Sequence, residues 1–123
     1  MSGRDLEAAA ARVVERTLGE LPAEVREVAG RVAVHFERLP GPDVLAEGFE
    51  PDLLGLFSGD PLGSEDSAGQ GAPPQIHLYI ANLWDCCEGD MAAFRREVRV
   101  TFLHELGHFL GWDEDDLEAR GLD

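Results

Sequence analysis

Residues 90–111 read DMAAFRREVRVTFLHELGHFLG and form the longest stretch of helical periodicity in the chain. Apolar side chains recur at every fourth position, and this spacing places them along one face of an α-helix. Gly111 ends the segment, because glycine readily adopts the left-handed conformation that terminates helices. The pattern therefore predicts a long helix over residues 90–110 that covers a core. Its buried stripe consists of Phe94, Val98, Phe102, Leu106 and Leu110.

Two histidines lie one helical turn apart near the end of this segment. His104 and His108 leave the same face of the helix, where two ring nitrogens can reach one metal ion. That face differs from the apolar stripe, so we expect the imidazoles to point into a cleft. Glu105 follows the first histidine and can accept a proton from the attacking water without binding the ion. The spacing predicts a zinc site with Glu105 as general base, although five-residue patterns of this kind also occur by chance.

A catalytic zinc ion needs a third protein ligand and an open fourth position. Four carboxylates follow Gly111, which can turn the chain back toward the histidines. Any one of them could reach the ion, and they also suit the start of a short final helix over residues 115–120, with Asp113 as its N-cap. The candidates are Asp113, Glu114, Asp115 and Asp116.

The segments before the long helix show helical periodicity first and strand periodicity after it. Apolar residues at helical spacing predict helices over residues 5–21 and 23–29, and alternation predicts strands over residues 31–39, 52–57 and 76–84. Gly55 marks a bulge or a close backbone approach in the second strand. Residues 59–74 are rich in glycine, proline and serine, which predicts a loop. We expect one small α+β domain over residues 1–123, with an N-terminal helix, a mixed sheet of three or four strands and helices packed on one sheet face.

The charge balance limits the possible partners. The chain has 25 acidic residues against 10 basic ones, all arginine, and a formal net charge of -15. Such a charge repels phosphate backbones and anionic membranes, so neither nucleic acid nor a membrane is an expected partner. The N-terminal stretch has no apolar run typical of a signal peptide, and we expect a cytoplasmic location. Cys86 and Cys87 are neighbours, and reduced thiols are the favoured interpretation.

Other polar residues have weaker signals. His77 and Tyr79 share one side of the third predicted strand, where they could contact a substrate or stabilise an oxyanion. An exposed strand histidine and a half-buried tyrosine at a sheet edge are the more ordinary interpretations. For His35, too, an exposed strand histidine is the more ordinary interpretation.

Residues 104–114, HELGHFLGWDE, resemble the zincin pattern H-E-x-x-H-x-x-G-x-x-(H/D). The order of elements also resembles that of the minimal bacterial zincin-like metallopeptidases. The resemblance implies a peptide substrate and a zinc ion bound by His104, His108 and the residue at the position of Glu114, with Glu105 as general base. The family has aspartate at that third position, and Asp113 is the runner-up. No methionine follows the motif, so the chain does not resemble the larger metzincins.

The resemblance also implies how a peptide would bind. Zincin substrates usually lie as an added strand along an exposed strand edge, which here suggests residues 76–80 as the upper wall of the groove. The loop over residues 59–74 could cover it.

Two other functions fit parts of the pattern. A metal-dependent endoribonuclease is one, because bacterial RNA-maturation enzymes have the pattern H-x-x-x-H-x-x-G-x-D-H and Asp113 falls on that spacing. Glu105 and the strong negative charge argue against it. A non-catalytic metal-binding module of zincin fold is the other. The substrate sequence and the oligomeric state stay open.

Overall fold

Helices precede, separate and follow three strands in the computed structural model, which describes residues 2–63 and 71–123. The helices in these residues are α1 (Gly3–Glu20), α2 (Ala23–Ala29), α3 (Pro42–Ala46), α4 (Ile80–Cys86), α5 (Met91–Leu110) and α6 (Glu114–Ala119). The strands are β1 (Ala33–Glu37), β2 (Gly55–Ser58) and β3 (Gln75–Tyr79). The predicted loop over residues 59–74 falls partly on residues 64–70, which lie outside the described residues.

The three described strands form one mixed sheet in the order β1-β3-β2. β1 runs parallel to β3, and β2 runs antiparallel to it. β3 is therefore the central strand, and β2 lies at an edge. The predicted α+β class with a small mixed sheet is confirmed.

The core lies between one face of this sheet and the two long helices. Ile76 and Leu78 of β3 are completely buried, as are Phe94 and Val98 of α5. Burial of each such side chain stabilises the fold by about 1.5–3 kcal/mol. The predicted stripe of α5 faces the core from Phe94 to Leu106, and Leu110 at its end is only partly buried.

The third predicted strand was too long. Alternation ends at Tyr79, and residues 80–86 form α4 instead, because Ile80 and Leu83 are spaced to bury one face of a helix. Asn82 fixes this helix by donating hydrogen bonds to the carbonyl oxygens of Pro51 and Leu53, at 2.7 and 3.0 Å. Short helix α3 was not predicted.

The position of β3 in the sheet also corrects the expected substrate wall at residues 76–80. β3 pairs with β1 on one side and β2 on the other, so it has no exposed edge over most of its length. Tyr79 is completely buried rather than half-buried at a sheet edge.

A helix that crosses a bilayer needs about 20 mostly apolar residues. In the part of the chain that the structure describes, no helix is both long and apolar enough for a membrane span.

Candidate metal centre

Helix α5 presents its two histidines on the side away from the core. The side chains of His104 and His108 are 46% and 55% exposed, and their ring centroids are 4.8 Å apart. Both rings line a cleft of about 340 Å³ between the end of α5 and the start of α6. The predicted orientation of the imidazoles toward a cleft is therefore observed.

The turn after α5 forms the far wall of this cleft. Gly111 has a left-handed backbone (φ 75°), and the Trp112 N–H donates to the Gly107 carbonyl oxygen at 2.8 Å. This is the hydrogen bond of a Schellman motif. A β carbon on Gly107 would lie 2.7 Å from the Trp112 carbonyl oxygen, so the returning chain needs glycine there. The turn brings the acidic start of α6 beside His104.

Glu105 lies on the buried side of the site. It is 8% exposed, and its Oε1 is 3.9 Å from Nε2 of His108. One ligand atom from each of His104, Glu105 and His108 falls in a group whose members all lie within 4.8 Å of one another. Burial raises the pKa of Glu105, and this effect is partly opposed by the charges of His104 and His108 and by the Phe57 N–H, which donates to the carboxylate.

The acidic residues after Gly111 take different positions. Asp113 is the N-cap of α6, where its Oδ1 accepts from the Asp116 N–H at 2.9 Å and its own N–H donates to Asp116 at 3.0 Å. The predicted capping role of Asp113 is thus confirmed. Glu114 is 86% exposed, and its Oε1 lies 4.0 Å from Nδ1 of His104. Among these carboxylates Glu114 is the one beside a histidine. Asp113 and Asp116 are instead hydrogen-bonded to each other's backbone N–H groups.

A zinc ion fits this set of donors. Two imidazoles and a glutamate form one of the ligand sets found in catalytic zinc sites. His104 and His108 supply exposed ring nitrogens, and the flexible, exposed side chain of Glu114 can turn toward them. Glu105 is held separately, on the buried side of the group.

The third ligand can be identified by comparing two single variants. We expect Glu114→Ala to weaken zinc affinity at least tenfold, because loss of a ligand removes a direct bond to the ion. Asp113→Ala should change the affinity less and instead lower the free energy of unfolding, because a helix cap is lost. Competition with a chelating dye measures the affinity, and urea unfolding measures the stability.

The opposite order of affinities would move the ligand to Asp113. Asp115→Ala is the matched control, since this carboxylate lies in the same turn, and it should bind zinc as the wild type does.

A pH-dependent stability difference should follow from the burial of Glu105. Its pKa is raised in the folded chain, which means that the fold favours the protonated carboxyl group. The contribution of this group to the free energy of unfolding is therefore fully present at low pH and is lost as the pH rises through the raised pKa. In metal-free protein, Glu105→Gln should therefore be more stable than the wild type at pH 8, with the difference shrinking toward pH 4. Thermal unfolding across this range measures it. A difference that stays constant with pH would contradict the prediction, and exposed Glu15→Gln is the control.

The remaining residues singled out from the sequence lie away from the metal site. His35 and His77 stack on the outer face of the sheet with ring centroids 5.0 Å apart. His77 Nδ1 lies 3.3 Å from Glu37, and its Nε2 lies 3.3 Å from Ser58 Oγ. Tyr79 is buried, and burial followed by the charge of Glu37 raises its pKa. None of these residues joins the cluster of His104, Glu105 and His108.

The two cysteines are free thiols, as expected from the sequence, with Sγ atoms 3.7 Å apart. Burial raises the pKa of the Cys86 thiol to about 11, so it is a weak nucleophile at neutral pH.

Strand β2 contributes contacts that the sequence did not predict. The Phe57 N–H donates to Glu105, and Gly55 packs against the side chain of the same residue. The sequence indicated a bulge or a close backbone approach at Gly55. It did not indicate that the approaching segment is helix α5. A backbone donor has no sequence signal, because every residue except proline has an N–H group.

The fold and the site together define a small α+β domain with a candidate metal site at the H-E-x-x-H motif of its long C-terminal helix. A family model described as zincin-like metallopeptidase matches residues 29–122. The match covers more than half of the chain, and the chain belongs to the zincin-like metallopeptidase family. Membership implies a metal cofactor, typically zinc, and a hydrolase of the metallopeptidase class. A comparison with curated proteins found no match.

Proposed function

We propose that this protein hydrolyses peptide bonds with a zinc ion held by His104, His108 and Glu114 and with Glu105 as general base. The observation that supports this most is the contrast between neighbours on one helix. Glu105 is buried beside two imidazoles that are open to the cleft. One group is thus shielded for proton transfer, while the others are available to an ion and a substrate.

Glu105 has an environment that strengthens it as a general base. Burial raises its pKa, and a base is most effective when its pKa lies near the working pH. The Phe57 N–H faces the carboxylate and lowers its pKa, which partly opposes the effect of burial. Glu105 accepts a proton from the attacking water and then donates it to the leaving amine nitrogen.

Zinc would supply Lewis acidity and make hydroxide available at neutral pH when bound. His104 and His108 are well placed to hold it, since both rings face the same cleft. Their helix is anchored by a stripe of buried side chains, which keeps the imidazoles in a fixed relation to Glu105.

The proposed peptide lies along β2 rather than β3. β2 is an edge strand, and it packs directly against Glu105 through Gly55. An extended peptide can add to this strand edge through the backbone groups of β2 that Glu105 does not engage. In this position its scissile bond would pass close to the general base and the histidines.

The endoribonuclease alternative has less support. The cleft is bordered by Asp113 and Glu114, and the whole chain has a formal net charge of -15. Both features repel RNA phosphates. A non-catalytic metal-binding module would bind the same ion but would hydrolyse neither peptide nor RNA.

Hydrolysis assays with zinc-loaded protein distinguish these three functions. We expect cleavage of a peptide library, detected by mass spectrometry, and no cleavage of a structured RNA. A chelator should stop the reaction, and added zinc should restore it. RNA cleavage would support the endoribonuclease, and bound zinc without any cleavage would support the binding module.

A further inference from the structure

We infer that Gly55 is a positioning residue for Glu105, because its missing side chain allows β2 to lie against the general base on α5. The inference rests on the proposed function for its catalytic consequence. The packing on which it depends belongs to the chain itself.

Gly55 is buried at the closest approach between β2 and α5. A β carbon built there would lie 2.7 Å from Thr101 Cγ2 and 3.4 Å from Glu105 Cγ, both on α5. On its other side it would lie 3.2 Å from the His77 carbonyl oxygen of β3. Carbon atoms in contact normally stay about 3.5–4.0 Å apart. A methyl group at residue 55 would therefore overlap the Thr101 methyl group and crowd the His77 carbonyl oxygen, which would push β2 away from α5 and so change its packing against Glu105.

Space, rather than backbone conformation, is what requires glycine at this position. Gly55 lies in a regular strand paired with Leu78, and its φ is not in the left-handed region. Alanine could adopt this backbone conformation without strain. A substitution would consequently act through the distance between β2 and α5.

The same strand also holds the carboxylate of Glu105. The Phe57 N–H donates to it, and Phe57 lies two residues after Gly55. Backbone groups two residues apart point to the same side of a strand. A β2 strand displaced at Gly55 would therefore draw the Phe57 N–H away from Glu105, and the general base would lose both its packing and its hydrogen bond.

The test compares Gly55→Ala with a variant that makes room for the added methyl group. We expect Gly55→Ala to keep one zinc per chain and to lower kcat by about 10²-fold, the loss typical of a 1 Å misplacement. Thr101→Ser removes the methyl group that is nearest to the new β carbon and keeps the hydroxyl. The double variant Gly55→Ala/Thr101→Ser should recover at least tenfold of the lost kcat. Gly19→Ala is the control, because a β carbon there would meet no atom within 4 Å apart from its chain neighbours and its own helix backbone.

Amide hydrogen exchange at Phe57 in metal-free protein provides a second readout that needs neither zinc nor activity. Exchange should be faster in Gly55→Ala than in the wild type and should slow again in the double variant. Unchanged exchange and unchanged kcat in Gly55→Ala would overturn the inference. If Gly55→Ala does not fold, the double variant must fold and protect Phe57, and its failure would also overturn the inference. Absence of peptide cleavage by the wild type would count against the proposed function alone.

Discussion

Replacing Glu105 with glutamine should leave zinc bound and lower kcat for peptide hydrolysis by about 10²–10⁴-fold, the usual loss when a general base is removed. Glutamine has nearly the same shape, and its side-chain carbonyl oxygen can still accept from the Phe57 N–H. It cannot take a proton from water at neutral pH. Because His104 and His108 are unchanged, the affinity for zinc should stay within a few-fold of the wild-type value.

Two measurements on the same preparation check this result, namely metal analysis and steady-state kinetics. Glu15→Gln is the matched control, since Glu15 is exposed on α1, and it should keep full activity. Full activity in Glu105→Gln would contradict the proposed mechanism even with zinc present. Loss of zinc in Glu105→Gln would instead make Glu105 a ligand.

Replacing either histidine with alanine should abolish zinc binding. His104 and His108 are the two imidazoles of the cluster, and one imidazole with one exposed carboxylate holds zinc weakly. We expect about one zinc per chain in the wild type after dialysis and reconstitution, and none in His104→Ala or His108→Ala. The wild type should also unfold at a higher temperature with zinc than without it, because an ion that binds only the folded state stabilises it.

His35→Ala is the control for this experiment. His35 lies on the outer face of the sheet, stacked on His77 and outside the metal cluster, so the variant should retain the ion. Zinc retained in both His104→Ala and His108→Ala would place the metal elsewhere in the protein.

The sequence was sufficient for the long helix and for the geometry of its histidines. Buried residues at every fourth position and a glycine at the end are local signals, and they predicted α5 closely. The spacing of His104 and His108 fixes their common face in any α-helix. The capping role of Asp113 could also be predicted, because an N-cap depends only on the residues beside it.

Contacts between distant segments could not be predicted in this way. The order β1-β3-β2 places β3 in the centre of the sheet, although the alternation of residues 76–80 also suits an edge strand. Tyr79 is completely buried, although its place at the end of an alternating strand also suits a half-buried side chain. The start of α4 was missed because Ile80 fits the end of an alternating strand as well as the first turn of a helix. The contact of β2 with Glu105 joins segments almost fifty residues apart, and no local pattern indicates it.

The central claim is that α5 holds a zinc ion through His104 and His108. Anomalous scattering at the zinc absorption edge, measured from crystals of the zinc-reconstituted protein, tests it most directly. We expect one strong peak in the cleft, about 2.0–2.1 Å from a ring nitrogen of each histidine, with a Glu114 oxygen as third ligand and Glu105 off the ion. A peak away from both histidines, or no peak in crystals shown to contain zinc-loaded protein, would contradict it.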